Sequence, residues 1–345
     1  MKTTAAVLIQ TGQPLELLDL EIPALATGQI LVEVRYSGVC HTQLLEWQGL
    51  RGEDAFLPHC LGHEGSGIVV DVGPGVTKCR AGDAVILSWM KGSGHDVPVT
   101  KYCSGGRTIN AGGITTFMRQ AVVSENRITP QTVELTPCDA AFLGCAVATG
   151  LGVVRNTLKV TKNASVLVAG CGGIGLYAVA GARIAGANPI IAADRNPDRL
   201  RIAGEMGATH FINTMDANLL DEVYQLCKTG VSFAIEAAGQ VDLMRDVLKA
   251  VKPRGGSAAI VGNAAFGQML SLDPREFNQG KRLLGTWGGD NNPDRDFPVY
   301  EEFIMAKKIE SAPLGSAAYA LEKINQALED FQNQIVTRPL IDMQL

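Results

Sequence analysis

The chain has 345 residues, of which 46% are hydrophobic and 19% are charged, and its formal net charge is −5. A chain of this length is longer than a single hydrophobic core usually supports, so about two domains are expected. The weakly acidic balance shows no basic stripe, which excludes the nucleic-acid-binding and membrane-surface classes. No apolar run reaches transmembrane length, so no membrane span is expected either.

The cysteine pattern and the N-terminal residues predict a cytoplasmic protein. The first residues, "MKTTAAVLIQTGQ", lack the apolar region and cleavage site of a signal peptide. The cysteines are scattered and form no C-x-x-C pair, so free thiols or metal ligands are expected rather than disulfides. The eight positions are Cys40, Cys60, Cys79, Cys103, Cys138, Cys145, Cys171 and Cys227.

The region up to about residue 145 consists of short β-like runs separated by glycine and proline. Examples are "QILVEVRYSGV", "GSGIVVDVGPGV", "GDAVILSWM" and "RQAVVSENRI". Regularly spaced short strands with turn signals between them predict a small barrel or sandwich.

The region from about residue 150 alternates apolar strands with helical patterns. "SVLVAGCGGIGLYAVAGARIAGA" and "NPIIAADRNPDRLRIAGEMGA" both read as strand, turn and helix. Such alternation predicts βαβ units on a parallel sheet that is buried on both faces. After about residue 290, "FPVYEEFIMAKKI" and "ALEKINQALEDFQ" indicate amphipathic helices, and "QIVTRPLIDM" indicates a closing strand.

Gly170-Cys171-Gly172-Gly173-Ile174-Gly175 fits the pattern G-x-G-x-x-G. It follows the apolar strand "VLVA" and opens a helix, and Asp194 ends the next strand, which is the context a dinucleotide-binding turn requires. Asp194 would accept from both ribose hydroxyls of NAD and repel the 2′-phosphate of NADP, although Arg195 next to it softens that preference. NAD is therefore predicted over NADP. The competing interpretation is a glycine-rich turn of another doubly wound fold.

Three residues in the first region could form a metal site. Cys40 lies in "SGVCHTQ", His63 in "LGHEGSG" and Cys145 in "LGCAVATGLG". Two thiolates and an imidazole suit a catalytic zinc ion, which takes three protein ligands and leaves one position open. Glu64 would be a transient fourth ligand or a neighbour of the ligands. Because these residues are far apart in sequence, buried structural cysteines and a hydrogen-bonded turn histidine remain the competing interpretation.

The stretches "GVCHTQ", "GHEGSGIVVDVGPGVTKCRAGDAV", "LGCAVATGLG" and "VLVAGCGGIGL" with "AADRN", in this order, resemble the zinc-dependent medium-chain alcohol dehydrogenases over essentially the whole chain. The resemblance implies an α/β fold in which a GroES-like β-barrel catalytic domain accompanies a doubly wound Rossmann domain. The expected bounds are 1–147 with 289–345 for the catalytic domain and 148–288 for the NAD-binding domain.

The resemblance also implies roles for individual residues. Cys40, His63 and Cys145 match the zinc ligands, Glu64 matches the adjacent glutamate, and Thr42 matches the hydroxyl that takes the substrate's proton. Trp89 stands where the family places an aromatic wall of the substrate pocket, although a core tryptophan would look the same in sequence, and Phe117 is a second candidate for that wall. The implied cofactor-binding residues are His41, Thr149, Gly170, Gly172, Gly173, Ile174, Gly175, Asp194, Arg195, Arg199, Val261, Gly262 and Arg338.

The sequence departs from the family at three places. Only Cys103 remains where relatives carry four cysteines for a structural zinc, and with His95 it cannot complete a closed site, so one catalytic zinc and no structural zinc are predicted. Gln43 stands where an aspartate usually supports the histidine ligand. Its carbonyl oxygen could accept from the imidazole, but the missing charge is expected to lower metal affinity about 10-fold or more. Leu45 replaces a histidine that ends the proton relay in some relatives.

These features predict an enzyme that interconverts an alcohol and its aldehyde or ketone by hydride transfer to NAD. The polar stretch "WGGDNNPDRD" would suit a polyol or sugar derivative as the small-molecule substrate. "RLLGTWGGD" resembles the strand that pairs subunits, so a homodimer or homotetramer is expected. Two competing functions are a zinc-independent enone or quinone reductase of the same fold and a non-catalytic nucleotide-binding descendant.

Overall fold

The computed structural model describes residues 1–309 and 317–345. They divide into two compact units, of which the first comprises 1–145, 292–306 and 317–345, and the second comprises 146–291 and 307–309. The predicted bounds of the second domain, 148–288, lie within the second unit.

The elements are numbered in chain order. Up to residue 145 they are β1 (Lys2–Leu8), β2 (Glu16–Glu21), β3 (Gln29–Gly38), α1 (His41–Trp47), β4 (His59–Cys60), β5 (Glu64–Val72), β6 (Ala84–Ser88), β7 (Thr100–Ser104), β8 (Arg107–Gly112), β9 (Gln120–Ser124), β10 (Ile128–Pro130) and α2 (Pro137–Leu143).

The second unit contains α3 (Ala146–Gly152), β11 (Val166–Ala169), α4 (Gly173–Ile184), β12 (Ile190–Asp194), α5 (Pro197–Met206), β13 (His210–Asn213), α6 (Leu219–Leu226), β14 (Phe233–Glu236), α7 (Val241–Ala250), β15 (Ser257–Ile260), α8 (Pro274–Asn278) and β16 (Arg282–Gly285). The chain then returns to the first unit with α9 (Pro293–Met305), β17 (Ala318–Ala320), α10 (Ile324–Gln332) and β18 (Leu340–Asp342).

The first unit is built from two β structures that share a core. Strands β1, β2, β7, β8 and β4 close a barrel, and a second sheet runs in the order β10-β6-β5-β3-β18-β17, with β9 also paired to β3. Their inward residues, such as Leu8, Ile30 and Val32, are buried in one hydrophobic cluster, which Phe117 from the segment before β9 also joins. Alternating apolar positions on short strands produce this arrangement, since one face of each strand must leave water. The predicted barrel is confirmed.

The second unit is a parallel six-stranded sheet among the described residues, in the order β13-β12-β11-β14-β15-β16. Numbered from β11, this is the order 3-2-1-4-5-6 of two mononucleotide-binding halves. All four residues of β11 and all five of β12 are buried, which explains why these strands read as continuous apolar runs. The predicted doubly wound Rossmann sheet is confirmed.

The glycine turn between β11 and α4 depends on close backbone packing. Gly170 has φ +95°, a conformation that favours glycine. A Cβ at Gly175 would lie 1.8 Å from the carbonyl oxygen of Gly170, so only glycine lets the helix approach the strand this closely. Gly170 therefore permits the backbone conformation of the turn, and Gly175 permits the close packing of α4 on it.

The segment that precedes β7 is held by Glu125, whose side chain is fully buried. Its Oε1 accepts from the backbone N–H groups of Thr77 and Lys78, at 2.7 and 3.0 Å, and its Oε2 contacts the backbone nitrogen and Nδ1 of His95, at 2.8 and 2.6 Å. Burial alone would raise the pKa of Glu125, but these hydrogen bonds favour the carboxylate and lower its pKa to about 2. The charged carboxylate of Glu125 thus links the segment around His95 to the segment around Thr77 by hydrogen bonds. We call these contacts the Glu125 clasp.

Within the described residues, no single helix is long and apolar enough to cross a membrane. A bent pair, Pro137–Leu143 with Ala146–Thr157, meets the length and composition criteria only when its two parts are combined.

Gly175→Ala is expected to lower the free energy of unfolding by about 1–3 kcal/mol, because the added methyl meets a backbone carbonyl that cannot rotate away. Chemical unfolding in urea measures this loss. Gly285→Ala is the matched control, since a Cβ there would meet nothing within 4 Å. Equal effects of the two substitutions would contradict the packing argument.

The Glu125 clasp should make stability depend on pH. Because its folded pKa is about 2 and lies below the ordinary value of a glutamate, its contribution is complete above about pH 5 and is lost as pH falls toward 2. Urea unfolding at a series of pH values should show a smaller loss of stability over this range for Glu125→Gln than for the unchanged chain. Parallel pH profiles would show that Glu125 is not the titrating group.

Candidate active site

Cys40, His63 and Cys145 come together in the first unit. One donor atom from each residue lies within 4.8 Å of the other two. Cys40 follows β3, His63 precedes β5, and Cys145 follows α2. Antiparallel pairing of β3 with β5 brings the end of one strand beside the start of the other, which joins residues 23 positions apart.

Two glycines that the sequence pattern does not single out, Gly38 and Gly144, leave room for the chain to pack closely around these residues. A Cβ at Gly38 would lie 2.1 Å from Oε1 of Glu64, and one at Gly144 would lie 2.1 Å from the carbonyl oxygen of Leu87. Ser88 donates its hydroxyl to the carbonyl oxygen of Gly144 at 2.7 Å and so fixes the turn that carries Cys145. The sequence shows only that Gly38 lies two residues before Cys40 and that Gly144 directly precedes Cys145.

The donor set fits a zinc ion. His63 Nε2 is buried and has no hydrogen-bond partner among the described residues, which is costly for a polar atom unless something binds it. The pKa of the Cys40 thiol lies well below its ordinary value because of its hydrogen bond with Cys145 and the nearby charge of Arg338. A thiolate and an imidazole nitrogen in a buried cluster are the ligands that zinc prefers.

Gln43 contacts this cluster differently from the expected way. Its Nε2 lies 2.5 Å from Nδ1 of His63, and its Oε1 accepts from the backbone N–H of Cys40 at 2.9 Å. The predicted contact between the two side chains exists, but the amide nitrogen makes it instead of the carbonyl oxygen. The reason is that the backbone N–H of Cys40 can only donate, so it takes the amide's acceptor.

Glu64 and Arg338 form a buried ion pair behind the ligands. Their side chains are 0% and 3% exposed, and Arg338 Nε donates to Glu64 Oε1 at 3.0 Å while Nη2 contacts the same oxygen. Glu64 is absent from the clustered ligand atoms, so it stands in this structure as the partner of Arg338 rather than as a fourth ligand. A buried carboxylate requires such a cation, and sequence alone could not pair residues 274 positions apart.

Of the other residues predicted near the metal, Thr42 and Trp89 lie beside the cluster and Phe117 does not. Thr42 Oγ1 lies 3.8 Å from Cys40 Sγ, and the rings of Trp89 and His63 meet edge to face with centroids 6.5 Å apart. Phe117 is fully buried in the barrel core, with its backbone N–H on the carbonyl oxygen of Leu61. The prediction of Phe117 as a pocket wall is therefore wrong, because a core aromatic and a pocket aromatic look alike in sequence.

The glycine turn of the second unit fits a dinucleotide. A Cβ at Gly172 would meet nothing within 4 Å, so the backbone before α4 stands clear on that side, and among the described residues no side chain caps the start of α4. Unsatisfied N–H groups at a helix start favour a pyrophosphate. Asp194 ends β12 and accepts from the backbone N–H groups of Cys171 and Asn196 at 2.6 and 2.9 Å.

The remaining predicted cofactor residues of the second unit lie in α3, at the start of α4, in α5 and directly after β12 and β15. Gly173 and Ile174 begin α4, and Thr149, whose Oγ1 is buried without a hydrogen-bond partner in the described part of the chain, lies in α3. Arg195 is exposed and directly follows β12, and Arg199 lies in α5. Val261 and Gly262 directly follow β15, and their N–H groups donate to the carbonyl oxygen of Glu236.

The polar stretch "WGGDNNPDRD" has structural partners for its side chains. Asp290 accepts from Thr157, Asn291 donates to the carbonyl oxygen of Ala148, and Asn292 caps α9. Asp294 pairs with Lys78. The side chains thought suited to a polyol therefore serve capping and packing, which removes the basis of that expectation.

Two family models match the chain, one for an alcohol dehydrogenase GroES-like domain over residues 26–133 and one for a zinc-binding dehydrogenase over 173–306. A similar protein is the S-(hydroxymethyl)glutathione dehydrogenase of Synechocystis, which is 34% identical over 95% of this chain and 96% of its own length. Two solved structures, each 29% identical with 99% of both chains covered, are benzyl alcohol dehydrogenase from Acinetobacter calcoaceticus (TM-score 0.90) and an alcohol dehydrogenase zinc-binding domain protein from Burkholderia ambifaria (TM-score 0.92).

Arg338→Met is expected to lower the free energy of unfolding by about 3–5 kcal/mol, because it leaves the buried Glu64 carboxylate without its cation. Urea unfolding measures the loss, and adding Glu64→Gln should restore part of it. Arg201→Met is the control, since Arg201 and Glu205 form an exposed pair, and it should change stability by less than about 1 kcal/mol. No recovery in the double variant would contradict the pairing argument.

Proposed function

Because this chain belongs to the zinc-dependent medium-chain alcohol dehydrogenase family, we propose that Cys40, His63 and Cys145 hold one catalytic zinc ion for the interconversion of an alcohol and its aldehyde or ketone. The observation that carries the proposal is the convergence of three donor atoms within 4.8 Å around a buried His63 Nε2 that has no hydrogen-bond partner in the described residues. The chain is thus an oxidoreductase, and the metal-free reductase alternative is not favoured.

The residues around the ligands have separate tasks. Zinc at this site would supply the Lewis acidity that polarises the substrate oxygen and favours loss of the alcohol's proton. The Thr42 hydroxyl, beside Cys40, would receive that proton, and Leu45 offers no further relay group. Arg338 offsets the negative charge of Glu64 and of the Cys40 thiolate, which keeps the charge of the buried cluster balanced.

We propose NAD as the hydride acceptor, held by the glycine turn of the second unit. The open backbone at Gly172 and the uncapped start of α4 support a pyrophosphate there, and the Asp194 carboxylate supports recognition of ribose hydroxyls rather than a 2′-phosphate. The roles of Thr149, Arg195, Arg199, Val261 and Gly262 toward the cofactor, and those of His41 and Arg338, remain predictions.

We propose that the substrate is a small alcohol with an apolar or aromatic group next to its hydroxyl-bearing carbon. The Trp89 ring near His63 supports this class, and one similar protein of solved structure bears the name benzyl alcohol dehydrogenase. The polyol class loses support because "WGGDNNPDRD" is engaged within the fold.

Three further expectations stay with this proposal. The catalytic and NAD-binding domains are 1–147 with 289–345 and 148–288. One zinc per chain is expected, because Cys103 lies in the β7–β8 pairing and His95 contacts Glu125. A homodimer or homotetramer is supported by β16, which lies at the end of the strand order in the described sheet.

Metal analysis and a substrate panel test the proposal. The purified chain should contain about one zinc, which Cys145→Ser should remove, and it should form NADH with benzyl alcohol more efficiently than with a polyol, measured as kcat/KM. Zinc-free protein that reduces enones would favour the metal-independent alternative. Two zinc ions per chain would overturn the prediction that the structural site is absent.

Thr42→Val should lower kcat about 10²–10⁴-fold, because it removes the proposed proton acceptor while keeping the shape of the side chain. Zinc content should stay unchanged, which separates proton transfer from metal loss. Thr42→Ser keeps a hydroxyl and should retain most of the activity. If Thr42→Val keeps the full kcat, another group takes the proton.

A further inference from the structure

The Gln43 amide lies between two groups of the candidate zinc site. Its Oε1 is 2.9 Å from the backbone nitrogen of Cys40, and its Nε2 is 2.5 Å from Nδ1 of His63. A backbone N–H can only donate, so it fixes the amide with its oxygen toward Cys40 and its NH₂ toward the imidazole. Gln43 is 1% exposed and Cys40 is 5% exposed, so water has little access to the contact between them, whereas the contact with His63 is partly buried.

This orientation determines which imidazole nitrogen carries the proton. The NH₂ group of Gln43 donates, so Nδ1 of His63 must accept, and a neutral imidazole then has its proton on Nε2. Because Nδ1 is occupied by Gln43, Nε2 is the nitrogen left to face the thiols as the third ligand atom. In the metal-free chain, the atom that must bind zinc is therefore the protonated one.

Zinc binding at Nε2 would move the proton to Nδ1, where it would meet the NH₂ group of Gln43. If the amide rotated by 180° so that its oxygen faced the imidazole, its NH₂ group would face the backbone N–H of Cys40, and two donors would then oppose each other. The metal-bound site needs two acceptors at this position, one for Cys40 and one for His63, and an amide has only one acceptor atom. A carboxylate has two oxygens and could accept from both groups.

We propose that Gln43 is a positioning residue that holds His63 in the tautomer unable to bind zinc, so that the chain loads and keeps its metal more weakly than it would with a carboxylate at this position. The inference rests on the ligand set of the proposed function. It assigns the weakening to the number of acceptor atoms in the amide, in addition to the missing charge.

Zinc affinity of the full chain tests the proposal, measured by competition with a chelator of known affinity. Gln43→Glu keeps the length of the side chain and adds the second acceptor, so it should lower the zinc dissociation constant about 10-fold or more. Gln48→Glu adds the same charge at the end of the same helix and should leave the constant unchanged. A Gln43→Glu chain that binds zinc no more tightly than the original, or a Gln48→Glu chain with the same gain, would overturn the proposal.

The tautomer can be read directly in the metal-free chain by nitrogen-15 NMR of the histidine rings, with the His63 signals identified by their loss in His63→Asn. The unsubstituted chain should show His63 protonated on Nε2, and Gln43→Glu should move the proton to Nδ1. His63 protonated on Nδ1 in the unsubstituted chain would overturn the inference without any appeal to a variant's folding.

The same measurements separate this inference from the proposed function. If the unsubstituted chain binds no zinc, or if Cys145→Ser binds it equally well, the ligand set is wrong and the inference falls with it. If Cys145→Ser loses zinc while Gln43→Glu gains no affinity, the zinc site stands and only the role of Gln43 is wrong.

Discussion

Strands β3 and β5 run antiparallel, with Ser37 opposite Gly65, and this register places the end of one strand beside the start of the other. Cys40 follows the first strand and His63 precedes the second, so backbone hydrogen bonds of the sheet hold two of the three candidate ligands together. A slip of one residue would turn the side chains of a strand to the opposite face. The separation of Cys40 and His63 in the candidate zinc site therefore depends on the register of β3 with β5.

Charge balance behind the ligands depends on the same strand pairing. Glu64 opens β5 directly after His63, and its carboxylate pairs with Arg338 from the C-terminal part of the chain. The hydrogen bond with Cys145 and, after it, this cation lower the pKa of the Cys40 thiol, and the cation also offsets the buried carboxylate. The pair is best understood as a requirement for burying a ligand set with negative charge, since a buried ion pair alone is a weak source of stability.

The two units divide the chemistry between different kinds of polar group. The first unit offers thiols, an imidazole and a hydroxyl, which bind metals and move protons. The second offers backbone N–H groups at the start of α4 and the Asp194 carboxylate, which are the kinds of group that suit an anion and ribose hydroxyls. The Gln43 amide lies in the first unit and has one acceptor atom, its Oε1. A metal-bound site would need two acceptors there, one for the N–H of Cys40 and one for the imidazole of His63, which is why we propose that the amide weakens metal binding.

The sequence by itself determined the features that rest on local pattern: the parallel sheet from its apolar strands, the glycine turn from its spacing before α4, and Cys40, His63 and Cys145 from their family resemblance. Tertiary structure alone decided which way the Gln43 amide faces, which cation meets Glu64, and that Phe117 fills the core. Those outcomes depend on hydrogen-bond and charge partners that come from distant parts of the chain. A local pattern reports the periodicity of burial, but it carries no information about which distant donor or cation a buried polar group will meet.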